Sequence, residues 1–193
     1  MPYDRKVNYL GYDGYQYLDT GITPNQTIEV EIKFMPTNTY SNSCALFGCR
    51  NGTTNAPGTG NYPLQIWYSG KNIALNDNNY DSGWRTLLTF DTEYIAEIKS
   101  RSLYVNGVLA VSSGRTNNYS YSLTYGLLRG HLLNDTWDSR RGSSGRIYYC
   151  KIWKDGALVR DFIPVVKDNV GYLYDKIGGE LYANRGTGSF TYG

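Results

Sequence analysis

Histidine occurs once in this chain, cysteine three times and methionine twice, and the formal net charge is only +2. Each scarcity narrows what the protein can do. One histidine, His131, and no Cys-x-x-Cys pair argue against a zinc centre. The odd set Cys44, Cys49 and Cys150 is no disulfide framework and suits a reduced setting. A Cys44–Cys49 bridge across a strand end is conceivable; the simpler reading is three small buried hydrophobes. The charges are few and mixed, with Arg140-Arg141 the densest basic pair, so nucleic acid is not an expected partner. No stretch approaches the roughly 18 apolar residues of a membrane span. The opening MPYDRKVNYLGYDGY lacks the apolar run of a secretory signal. No segment sustains a 3.6-residue apolar stripe, which removes the amphipathic helix from the list of building blocks.

What the chain has instead is 20 Tyr and 22 Gly among its 193 residues, with much Asn, Thr and Ser. Aromatic and β-branched side chains fit a pleated, half-buried surface. Gly and Asn supply the left-handed backbone of tight turns. Residues 27–35, TIEVEIKFM, show the clearest pattern: Ile28, Val30, Ile32 and Phe34 alternate with Glu29, Glu31 and Lys33, and Pro36 is expected to end the strand. Further strands are expected at residues 14–23, 43–49, 63–69, 84–90, 93–99, 121–128, 146–153 and 157–165. Asn106-Gly107 between apolar runs marks a type I′ hairpin, and residues 170–174 and 180–183 form a last hairpin. The segments 50–61, 76–83 and 133–145 read as polar loops. This spacing predicts one all-β domain over residues 1–193, built as two stacked antiparallel sheets. Residues 1–12 are expected to be loose or a docking arm.

YQYLDTGITPNQTIEVEIKF, the hairpin LYVNGVLAV, and the closing SGRIYYCKIWKDGALVRDFIPV and VGYLYDKIGGELYANRGTGSF resemble concanavalin A-like, laminin-G-like modules of gut bacteria and their phages. The resemblance implies a two-sheet jelly-roll sandwich and attachment to glycans or other surface molecules. Because the chain opens at Met1 with almost no leader, it is expected to be a small whole gene product: a phage virion surface component, such as a decoration or fibre protein, located on the particle. The alternatives are a bacterial carbohydrate-binding or adhesion module, at the cell surface or secreted, and a purely structural virion protein contacting its neighbours. A homo-oligomer is compatible with each.

Catalysis is not expected. Glycoside hydrolysis needs two carboxylates flanking one bond; Glu29-Val-Glu31 is followed by Phe34 where a third acid belongs, and Glu93 and Glu97 read as a solvated face. His131 has no Gly-x-Ser-x-Gly elbow to serve. Binding is expected at two loops that combine an aromatic platform with planar amides and acids. One carries Tyr80 and Trp84. The other carries Trp137, Asp138, Arg140 and Arg141, and Trp67 and Tyr68 extend either. Trp137 is either a contact residue or a lid over the core, and Trp84, like Trp153, sits where a core strand is expected. No cofactor is required. Laminin-G-like modules often hold Ca²⁺, for which Asp77, Asn79, Asp81 and Asp135 offer oxygens; ordinary Asx-turn chemistry accounts for the same residues.

Overall fold

The computed structural model describes residues 1–38, 44–50, 65–69, 71–78, 80–132, 136–137 and 142–193. Among these there is no helix. The strands form two sheets that enclose one core, the stacked pair that the strand spacing predicts and the jelly-roll sandwich that the resemblance implies.

The larger sheet runs Val108–Ser112, Ser102–Val105, Tyr94–Lys99, Glu29–Asn38, Ser144–Lys154, Ala157–Lys167, Val170–Asp175, Glu180–Tyr182. Its centre is the pair Glu29–Asn38 and Ser144–Lys154. Ile28, Val30, Ile32 and Phe34 point inward and are buried. Glu29, Glu31 and Lys33 face out, where Glu31 lies opposite Glu97. Like charges facing across a ladder destabilise it; here Lys151, 3.7 Å from Glu31, and Lys99, paired with Glu97, offset the repulsion.

The smaller sheet runs Thr136–Trp137, His131–Leu132, Cys44–Arg50, Gln65–Ser69, Asn72–Asp77, Tyr80–Asp81, with Gly126–Leu127, Leu18–Asp19 and Arg85–Thr86 attached. Phe47, Ile66, Tyr68, Ile73 and Leu75 point from it into the core. Phe34 and Tyr68 meet edge to face across the two sheets, with ring centroids 5.8 Å apart. Pairing is antiparallel except where His131–Leu132 runs parallel to Cys44–Arg50, a departure from the all-antiparallel expectation.

Three local expectations need correction. Pro36 does not end its strand, which continues to Asn38. A bulge opposite Ser144/Gly145 accommodates it, the setting in which a residue without an N–H is tolerated. Residues 121–128 supply only the short strand Gly126–Leu127. Residues 1–12 are not an arm: Arg5–Lys6 pairs with Ala157–Lys167, and Leu10–Tyr12 is laid between Ser144–Lys154 and Thr191–Tyr192.

Candidate functional site

The insertion of Leu10–Tyr12 builds a cleft. Its floor is where this strand, the end of Glu29–Asn38, the start of Ser144–Lys154 and the last strand Thr191–Tyr192 converge. Two glycines permit the approach: a Cβ on Gly11 would overlap Thr191 Oγ1, and one on Gly145 would overlap the Met35 carbonyl and the Tyr12 hydroxyl. The resulting space is about 250 Å³, lined by Tyr9, Asp13, Gln16, Thr37, Arg146 and Thr191 among others. The Gln16 amide is orientation-locked. Its Oε1 accepts the Asp13 N–H at 2.9 Å and its Nε2 donates to the Ser189 carbonyl at 3.2 Å. The Arg146 guanidinium lies 4.3 Å from the Tyr9 ring centroid, a cation–π contact that holds the charge at the rim. The Thr37 and Ser144 hydroxyls bond each other at 3.1 Å. An aromatic wall with an amide, a carboxylate, a guanidinium and hydroxyls around it is chemistry suited to a hydroxyl-rich ring.

Of the residues expected from the sequence to bind a ligand, the described ones, Tyr68, Trp84 and Trp137, do not line this cleft. Tyr68 is in the core, its hydroxyl 3.0 Å from that of Tyr12, so it cannot extend a surface platform. Trp137 is half-buried. The His131 ring is parallel to it within 4° at 4.3 Å, and the Tyr17 ring lies at 4.4 Å. Arg185 adds a cation 5.9 Å from the same ring. These contacts place Trp137 in a packed aromatic cluster at the edge of the smaller sheet. Trp84 departs from the core placement and is 46% exposed. Asp138, Arg140 and Arg141 lie outside the described residues, as do the side chains of Trp67 and Tyr80.

The proposed calcium ligand Asp77 is committed elsewhere. It is fully buried, and Arg101 donates to both of its oxygens at 2.7 and 2.8 Å. The Ser113 hydroxyl also donates to Oδ2. This clamp joins the smaller sheet to the Ser100-Arg101 turn of the larger one. Asn79, Asp135 and the Asp81 side chain lie outside the described residues. Among the described residues, no three His, Cys, Asp or Glu side chains gather as a metal would require.

His131 is buried, with Nδ1 3.1 Å from the Thr124 carbonyl and 3.0 Å from its hydroxyl. Cys49 and Cys150 are free thiols in the core, and burial pushes both well above the usual thiol range, which keeps them protonated and unreactive. Cys49 is thus not bridged to Cys44.

No protein-family model and no curated protein matches the chain. Among solved structures it is similar to alginate lyase AlgAT5 from polysaccharide lyase family 7, at 9% identity and a TM-score of 0.43, over 68% of this chain and 62% of that one. The chain therefore spans less than two thirds of the length of that enzyme. A likeness this distant transfers neither an activity nor residue roles. The expectation of a non-catalytic phage surface protein is corrected to this extent: the solved structure that the chain is similar to is an enzyme and not a virion, fibre or adhesion protein.

Proposed function

We propose that this jelly-roll domain recognises carbohydrate, and that the cleft beside the stacked Tyr9–Arg146 pair, lined also by Asp13, Gln16, Thr37 and Thr191, holds a saccharide ring. The observation that carries the reading is the composition of that cleft: a stacked tyrosine–guanidinium pair beside a fixed amide, a carboxylate and hydroxyls in about 250 Å³. The volume suits one pyranose rather than a long bound chain. Fixed polar groups favour this role, since a pre-oriented amide such as Gln16 loses little freedom when a hydroxyl docks.

The test is calorimetric titration of purified poly- and oligosaccharides, neutral and acidic, into the parent protein and into Arg146→Ala and Tyr9→Ala. Release of reducing and unsaturated ends is followed on the same mixtures, so that holding a glycan and cleaving it are read separately. Binding by the parent and at least a tenfold loss in both variants is the expected result. A parent that binds no saccharide, or variants that bind as well as the parent, would overturn the reading.

A further inference from the structure

Among the described residues lining the cleft, Arg146 brings the one guanidinium. A charged head on a long flexible stem serves a ligand poorly unless something fixes it beforehand. Tyr9 supplies one hold, by stacking at 4.3 Å. A second hold comes from outside the cleft.

It begins with an irregularity in the strand Ser144–Lys154. Ile147 pairs with Phe34 and Tyr149 with Lys33, so Tyr148 is an extra residue without a partner in that ladder. Such a bulge re-aims the side chains it carries. Strict alternation from buried Ile147 would turn Tyr149 into the core. Instead Tyr148 and Tyr149 are both half-buried, and Cys150 resumes the buried set. The Tyr148 ring meets the Tyr9 ring edge to face, with centroids 6.1 Å apart. Its hydroxyl receives an N–H from Arg146 and donates to the Glu93 carboxylate. The Met35 sulfur, 3.8 Å from the same hydroxyl, is a weaker acceptor than a carboxylate. Lys33 closes the chain of contacts, its ammonium 2.6 Å from Glu93 and 4.9 Å from the Tyr148 ring centroid. Lys33 and then Tyr148 hold the Glu93 carboxyl below the usual carboxylate range. Burial and then Glu93 hold the Tyr148 hydroxyl above the usual phenol range. The acid therefore stays ionised and the phenol neutral, which fixes the direction of each hydrogen bond. None of Tyr148, Glu93 and Lys33 lines the cleft.

From this geometry we infer that Tyr148 and Glu93 are positioning residues for the cleft, holding the Arg146 head at its rim in the pose that a ligand meets. The inference rests on the saccharide reading above. An arginine fixed before binding loses less freedom when a hydroxyl or a carboxylate docks on it. Tyr149, one residue further on, provides the control. Its hydroxyl bonds Glu31 instead, and Lys151 lies over its ring.

Two measurements on the full chain test this. The first is nuclear magnetic resonance of the arginine Nε–Hε groups without ligand, the Arg146 signal being assigned by its loss in Arg146→Ala. In the parent this group should be ordered and slow to exchange with water; in Tyr148→Phe and Glu93→Ala it should become mobile, and in Tyr149→Phe stay as in the parent. The second is calorimetric titration with cellobiose, a neutral probe, and glucuronate, an acidic one, beside the saccharides already described. Tyr148→Phe and Glu93→Ala should weaken binding about three- to tenfold, and Tyr149→Phe should leave it unchanged. Circular dichroism checks that each variant is folded, so that a general loss of structure is not read as lost positioning. A parent that binds no saccharide removes the reading on which the inference rests. A parent that binds, with an Arg146 signal and an affinity that Tyr148→Phe leaves untouched, sinks the inference and spares that reading. Equal losses in Tyr149→Phe sink it too.

Discussion

Asp77 shows how a residue's neighbours override its residue type. In the run NDNNYDSG it reads as a loop acid with oxygens to spare, yet it is the fully buried anchor of a clamp with Arg101 and Ser113. Asp77→Ala leaves the Arg101 cation buried and uncompensated, and should cost about 3–5 kcal/mol in chemical denaturation. Trp137 makes the same point with packing. Trp137→Ala removes a ring packed against His131 and Tyr17 and should cost about 2–4 kcal/mol, while saccharide affinity at the Tyr9–Arg146 cleft stays at the parent's value. The buried thiols predict a pH response. Cys49 and Cys150 remain protonated in the native state when unfolded thiols, titrating near about pH 8.5, begin to ionise. Above that pH the unfolded chain binds fewer protons than the folded one. Their contribution is therefore full below the unfolded thiol pKa and lost as pH rises, by up to about 1.4 kcal/mol per pH unit for each thiol. Denaturation midpoints should fall from about pH 8.5 upward, and Cys49→Ala should make that slope shallower.

At the level of elements, the turns divide into those that the residues announce and those that they do not. Asn106-Gly107 adopts left-handed φ values of 51° and 76°, and Asp155-Gly156 values of 52° and 77°, as turn chemistry requires. A Cβ on Gly107 would meet nothing within 4 Å, so Gly107→Ala measures backbone strain alone and should cost about 1 kcal/mol in thermal or chemical denaturation. Ser100-Arg101 and Asp168-Asn169 take the same backbone without glycine. No local preference points to Ser100-Arg101; its shape is held by the Asp77 clamp and by the hydrogen bond from Arg101 Nη1 to the Asn117 carbonyl. Strand faces were equally legible where the period was clean, as in Glu29–Asn38. They were illegible where both faces are covered, as in Cys44–Arg50, of which residues 45–50 are all buried. Period-two alternation records one wet face, and a strand without a wet face leaves no such record.

Across the whole molecule, the candidate site was the least legible part. The expected binding residues were chosen for being aromatic and polar within one loop, whereas the cleft draws Tyr9, Gln16, Arg146 and Thr191 from distant parts of the chain. The N-terminal segment, read as loose or as a docking arm, supplies one wall because it pairs with Ser144–Lys154. Composition and alternation by themselves determined that the chain would be all-β, which side chains of the clean strands would face the core, and where glycine-bearing turns would fall. Each of these is a matter of one residue's conformational preference or of neighbours two apart. Only the tertiary structure decided which strands became neighbours and which polar groups met in a cleft. Those outcomes arise from burying apolar faces against partners far along the chain, a free energy that no local window of sequence contains.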